Sequence, residues 1–154
     1  MMNTSMKPKV CVISGSRADY GLLRNILIPL KKSKIIDTQF IVTGSHLSLR
    51  HGETIHEIIE DGITIDEEMN ILSDDDSSTG IAKSFSKGLE QTTMVLSKLN
   101  PDIVLILGDR YEIFAAAIAA MILNIPIAHC HGGESTQAAI DEAIRHSITK
   151  MSCL

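Results

Sequence analysis

The chain has 154 residues, 44% of them hydrophobic and 21% charged, which fits one globular domain with a core of its own. Aromatic residues make up only 3% and Trp is absent, so that core has to be aliphatic. A net charge of -5 argues against a nucleic-acid binder, and the longest apolar run, Ile113 to Leu123, is too short for a membrane span.

Lys9 to Ser14 (KVCVIS) reads as a strand buried on both faces. Gly15-Ser16-Arg17-Ala18-Asp19-Tyr20-Gly21 follows as a turn, with Asp19 as the expected N-cap of a helix over Leu22 to Ser33 that Pro29 should kink or shorten. The one basic cluster, Lys31-Lys32-Ser33-Lys34, falls where that helix should end and complements its dipole. Asp37 to Thr43 is a second strand, closed by Gly44-Ser45-His46. Glu53 to Asp61 is a short helix stopped by Gly62, and Ile63 to Met69 alternates like an edge strand.

The acidic run Ser73 to Thr79 reads as a loop that starts a long amphipathic helix ending at Asn100-Pro101. Ile103 to Leu107 is the most apolar strand and belongs inside the sheet. Tyr111 to Leu123 is helical and apolar nearly all round, with five alanines for close packing. Ile125 to Cys130 is a fifth strand, and Ala138 to Met151 a last helix. Strands alternating with helices predict an α/β fold with a doubly wound, Rossmann-like parallel sheet.

Candidate site residues gather just after the carboxyl ends of the strands, where open α/β sheets bind ligands: Arg17, His46, Asp109, Arg110 and the segment His129 to Glu134. The Gly15 to Gly21 turn has neither dinucleotide nor Walker spacing. Arg17 reads equally as an anion clamp or as a surface arginine beside a turn. Asp109 taken singly is an N-cap, whereas Arg110 beside it suggests a second anion clamp, because an unpaired arginine there has little structural use. His129 and His131 would share one face of an extended chain, but without a third ligand on that face a metal reading is weak. Asp109, Glu134 and Asp141, interleaved with histidines, suit proton transfer at carbon. The isolated Cys11, Cys130 and Cys153 favour a reduced, cytoplasmic setting.

Taken together, Gly15-Ser16-Arg17-Ala18-Asp19-Tyr20, Gly44-Ser45-His46, Gly108-Asp109-Arg110, His131-Gly132-Gly133-Glu134 with Ile140-Asp141-Glu142, and Ile144-Arg145-His146-Ser147-Ile148-Thr149-Lys150 resemble the hydrolysing UDP-N-acetylglucosamine 2-epimerases of sialic and nonulosonic acid biosynthesis. The likeness runs from Lys9 to Ser152. It implies a two-domain, glycosyltransferase-B-like enzyme that eliminates UDP from UDP-GlcNAc and hydrates the product to N-acetylmannosamine, without cofactor or metal. By that likeness Asp109 and Asp141 are acid/base groups, with Glu134 or His131 taking a further such role. Arg17 and Arg110 contact the diphosphate, and His46, His129 and Arg145 line the site. The chain departs from some relatives at His131, where they carry a glutamate, and in Ser135 to Ala139, which lacks a glycine common before Ile-Asp-Glu.

The resemblance also sets expectations about extent. Residues 1-8 should be a disordered tail and 9-154 the N-terminal Rossmann-like domain, with a C-terminal nucleotide-binding domain absent, so the chain alone should turn over little substrate. The expected partner is UDP-GlcNAc or a related sugar nucleotide, with no nucleic acid, no membrane, and a homo-oligomer in the full-length form. The alternatives are a non-catalytic sugar-nucleotide-binding half-domain and a non-hydrolysing epimerase yielding UDP-ManNAc.

Overall fold

The computed structural model describes residues 6–135 and 139–154. The expectations about the first five residues, about the missing glycine near residues 136–138, and about Ala138 as a helix start lie outside the described residues.

Five parallel strands carry the fold: β1 (Lys9–Ser14), β2 (Asp37–Thr43), β3 (Glu67–Met69), β4 (Ile103–Leu107) and β5 (Ile127–Cys130), in the order β3-β2-β1-β4-β5. Helices α1 (Arg17–Lys31), α2 (Ile55–Glu60), α3 (Ser78–Leu99) and α4 (Tyr111–Ile122) connect them, and α5 (Ala139–Met151) follows β5. Alternate residues of each inner strand face opposite layers. Cys11, Ile13, Ile41, Val104 and Ile106 enter one core, with Leu96 of α3, the α4 alanines and Ile148 of α5. Val12, Phe40, Val42 and Leu107 enter the other, with Tyr20, Leu23 and Leu27 of α1 and Ile55 and Ile58 of α2. Burial on both faces explains why these strands read as continuous apolar runs. Among the described residues, no helix is long and apolar enough to cross a membrane.

Several expectations need correcting. Helix α1 begins at Arg17, because Ser16 rather than Asp19 is its N-cap, accepting the Asp19 N–H at 3.3 Å. Asp19 and Gly21 thus lie inside the helix, and Pro29 sits in its last turn without ending it. Strand β3 is only three residues long, since its register runs from Ile41↔Glu67 to Thr43↔Met69. Ile63 is nevertheless buried, so the apolar spacing there reflects core filling rather than pairing. Two short 3-10 turns over Gly44–Leu47 and Leu49–His51, not foreseen from the sequence, carry the chain away from β2.

The strand order changes direction between β1 and β4. The chain leaves β1 toward β2 on one side and leaves β4 toward β5 on the other. Such a switch point opens a crevice at the carboxyl edge of the sheet.

Candidate active site

Three glycine-containing turns meet at that edge. Gly44 follows β2 with φ +60°, and its backbone lies so close to β1 that an added Cβ would stand 2.5 Å from the Gly15 carbonyl oxygen. That oxygen accepts the Ser45 N–H at 2.9 Å, locking the two turns together. Gly108 follows β4 with φ +90°, and an added Cβ there would meet Asp19 Oδ1 at 3.4 Å.

Asp109 comes next. It does not cap α4, which is the first correction at the site: Arg110 occupies the N-cap position and its side chain makes no capping bond. Instead Asp109 Oδ2 accepts Arg145 Nε at 3.0 Å and pairs with Arg145 Nη2 as well. Arg145 lies on α5 and is buried, and its Nη1 donates to the Glu134 carbonyl at 2.7 Å. One guanidinium therefore joins the β4–α4 turn to the segment after β5, and its hydrogen bond to Asp109 raises its pKa and so holds its charge.

Arg110 is not unpaired, which is the second correction. Its Nε donates to both oxygens of Glu112 at 3.3 Å, and its Nη2 lies 3.2 Å from Glu112 Oε1. The Glu112 side chain is 0% exposed and that of Arg110 49%. Burial opposes the arginine's charge, but Glu112 outweighs it and the pKa moves up. Arg110 lines a cavity of about 220 Å³ together with Asp141, Tyr111, Ile81, Ile140 and Ile144. It also borders a second cavity, of about 190 Å³, shared with Ser45, His51 and Ser84.

The histidines divide. His129 Nε2 donates to the Gly108 carbonyl at 2.7 Å and its Nδ1 meets Thr149 Oγ1 at 3.1 Å, so both ring nitrogens are engaged within the fold. Burial moves its pKa down, which keeps the ring neutral. His131 has left the strand with φ +62° and pairs with the Glu134 carboxylate. The alternation that would place His129 and His131 on one face therefore breaks at the turn. His46 is fully buried between Ser14 Oγ and Thr54 Oγ1, each at 2.8 Å, and burial pushes its pKa down to about 4. Arg17, at the start of α1, is exposed and pairs with Glu57 of α2 at 2.8 Å.

Two buried carboxylates are not marked as such by the sequence, where Asp19 reads only as an N-cap. Glu112 is the second residue of an otherwise apolar helix, and that placement is the one sequence signal of its burial. Asp19 is 6% exposed, and among the described residues its Oδ2 has no hydrogen-bond partner. Burial pushes Asp19 up to about 6, against the opposing pull of Ser16, the Gly15 N–H and Arg110.

A pH dependence follows from Asp19 and His46. Between about pH 4 and 6 the folded chain holds the Asp19 proton more firmly than the unfolded chain, so this residue's contribution to stability falls as pH rises. His46 acts oppositely: its folded value lies below its unfolded 6.5, so stability rises with pH from about 4 to 6.5. Asp19→Asn removes the first slope and leaves the second. The variant should match the parent near pH 4 and exceed its stability by roughly 3 kcal/mol above about pH 6. Urea melts across that range check this; parallel curves would contradict it.

The family model described as UDP-N-acetylglucosamine 2-epimerase matches residues 29–154. The chain belongs to that family.

Among curated relatives, the chain is 45% identical over 146 residues to the polysialic acid biosynthesis protein P7 of Escherichia coli, covering 95% of this chain and 37% of the relative. It is 41% identical to the hydrolyzing GDP/UDP-N,N'-diacetylbacillosamine 2-epimerase of Campylobacter jejuni, covering 96% and 38%. It is 42% identical to the hydrolyzing UDP-N,N'-diacetylbacillosamine 2-epimerase of Legionella pneumophila, covering 94% and 38%. The chain thus spans less than two fifths of these relatives' length. A solved UDP-N-acetylglucosamine 2-epimerase superposes with TM-score 0.85 at 25% identity, covering 97% of this chain and 41% of that one. The Neisseria meningitidis UDP-GlcNAc 2-epimerase, solved bound to UDP-GlcNAc, gives 0.81 at 25%, covering 94% and 38%. The fold is that of the sheet domain of these glycosyltransferase-B-type 2-epimerases.

Proposed function

We propose that this epimerase-family chain supplies the acid/base half of a hydrolysing 2-epimerase acting on UDP-N-acetylglucosamine. What carries the reading is Arg145, which ties Asp109 to the Glu134 segment beside the cavity that Arg110 shares with Asp141. Acidic residues of the β4–α4 turn and of the β5–α5 connection thereby stand at one edge of the sheet, an arrangement that suits removal of a proton from carbon on one side and delivery on the other.

The reaction has two stages. A carboxylate takes the C2 proton of the sugar while the C1–oxygen bond breaks, UDP departs with that electron pair, and a 2-acetamidoglucal remains. Water then adds its oxygen at C1, and a proton enters C2 from the opposite face, giving N-acetylmannosamine. Asp109 and Asp141 are assigned the proton transfers, and the paired His131 and Glu134 supply a further acid/base group. Both Arg145 contacts fall on Asp109 Oδ2, so Oδ1 is the oxygen assigned to the proton. Arg110 and the first turn of α4, which has no side-chain cap, offer N–H donors for the departing diphosphate, with Arg17 beyond them at the next turn. His46, His129 and Arg145 act on the site through the turns they fix.

A second reading has a specific support: the two relatives above that are named as diacetylbacillosamine 2-epimerases favour a 2,4-diacetamido sugar. Both readings are tested in a full-length form, meaning this chain continued by the portion its curated relatives carry beyond the match. UDP-GlcNAc and UDP-diacetylbacillosamine are offered in turn, and UDP and the free sugar are measured. The preferred substrate should release UDP and a free 2-epimer, while the 154-residue chain alone should release little. Release of UDP-linked product instead would indicate the non-hydrolysing reaction, and no release from either substrate would leave a binding role only.

A further inference from the structure

Glu112 is a carboxylate with no exposed surface, placed in the first turn of a helix whose neighbours Ile113, Ala115, Ala116 and Ala117 are also buried. Taking a carboxylate out of water is costly unless a charged partner meets it with good geometry. Arg110 supplies that partner along one edge only. Nε and Nη2 face Glu112, while Nη1 contacts neither of its oxygens. The arginine is half exposed and borders both cavities at the crevice. A flexible cationic side chain is in this way fixed along one edge, with Nη1 left out of the pair and the side chain half exposed at the cavities.

The turns around Glu112 are close-fitting. An added Cβ on Gly44 would lie 3.2 Å from Glu112 Oε1, and one on Gly15 would lie 3.7 Å from Glu112 Cβ. The carboxylate is therefore wedged between the β1 and β2 turns and has little freedom to follow the arginine. Asp19, the other buried carboxylate near Arg110, makes no hydrogen bond to it among the described residues.

We propose that Glu112 is a positioning residue, holding the Arg110 guanidinium by its Nε–Nη2 edge so that its remaining N–H groups grip one phosphate of a nucleoside diphosphate. The inference rests on the assignment of Arg110 to the diphosphate and adds the group that makes that contact possible. Loss of the negative charge in Glu112→Gln leaves one hydrogen-bond acceptor where two charged oxygens stood, and frees the guanidinium to rotate.

The test uses the 154-residue chain labelled with 15N at arginine, and inorganic pyrophosphate as the probe. In the parent, pyrophosphate should shift the Arg110 Nε resonance in a saturable way. In Glu112→Gln, that resonance should broaden as the side chain loosens, and the pyrophosphate affinity should fall about tenfold or more with thermal unfolding still cooperative. A purely structural role would change the melting temperature and leave the affinity of the folded chain untouched, which would overturn the inference alone. An Arg110 resonance indifferent to pyrophosphate in the parent would overturn the diphosphate assignment and the inference with it. Should Glu112→Gln not fold, Glu112→Asp keeps the charge but withdraws it by one methylene. It should then show an intermediate affinity, and unchanged affinity would again overturn the proposal.

Discussion

Asp109→Asn should lower turnover of the full-length form by about 10²–10⁴-fold, the range associated with losing a positioned acid/base group. The amide is nearly isosteric, so the loss would fall on proton transfer rather than on shape. Arg145 would keep an oxygen to donate to, and the Glu134 carbonyl would stay tethered through Nη1. Steady-state rates, together with UDP affinity from titration calorimetry, separate the outcomes. Loss in kcat with UDP affinity kept supports the assigned role. A parallel loss of UDP affinity would instead mean that Asp109 works mainly by holding Arg145 and the turn. Unchanged turnover would end its assignment as an acid/base group.

Gly44→Ala should be the most damaging small substitution at the crevice. The left-handed backbone at φ +60° costs a side-chain residue about 1–2 kcal/mol. Crowding the Gly15 carbonyl, which cannot retreat without leaving its Ser45 bond, adds about 1–3 kcal/mol. A combined loss of roughly 2–5 kcal/mol corresponds to a fall in melting temperature of about 5–20 °C for a domain of this size. Differential scanning calorimetry measures it. A fall of less than about 2 °C would show that the β1 and β2 turns can part more easily than their geometry implies.

How much of this could be read from the chain alone depended on what each residue's neighbours had to be. Strands β1, β2 and β4 are legible because both of their faces are buried over most of their length, which makes their sequences largely apolar runs. β3 is not, since Ile63 and Ile65 fill the core from irregular backbone and mimic an extended pattern. The start of α1 was hidden because Gly15 to Gly21 looks like a turn, although Ser16 standing three residues before Asp19 is a capping arrangement in its own right. At the site, a residue's place at the strand edge was legible and its partner was not. Arg145 and Asp109 are 36 residues apart, and only the packing of α5 against α4 brings them together. Arg110 looked available because nothing in the sequence pairs it with Glu112, and His46 looked like a ligand-facing group because the hydroxyls of Ser14 and Thr54 are invisible as partners until the chain folds.

The switch between β1 and β4 also bears on how the chain must fold. β1 pairs with β2 across a short span, Lys9↔Asp37, but its other neighbour arrives much later, with Val10 opposite Ile103. Closing so long an intervening segment costs chain entropy that no contact within either half repays. Arg17, Asp19 and His46 belong to the early half, whereas Asp109, Arg110, Glu112, His129 and Arg145 belong to the late one. Some of the contacts at the crevice, Gly44 against Glu112 and Asp19 against Gly108, cross that seam. A chain with only one half in place thus has a stretch of sheet and a hydrophobic face but lacks these cross-seam contacts, so the crevice is complete only with the last long-range pairing.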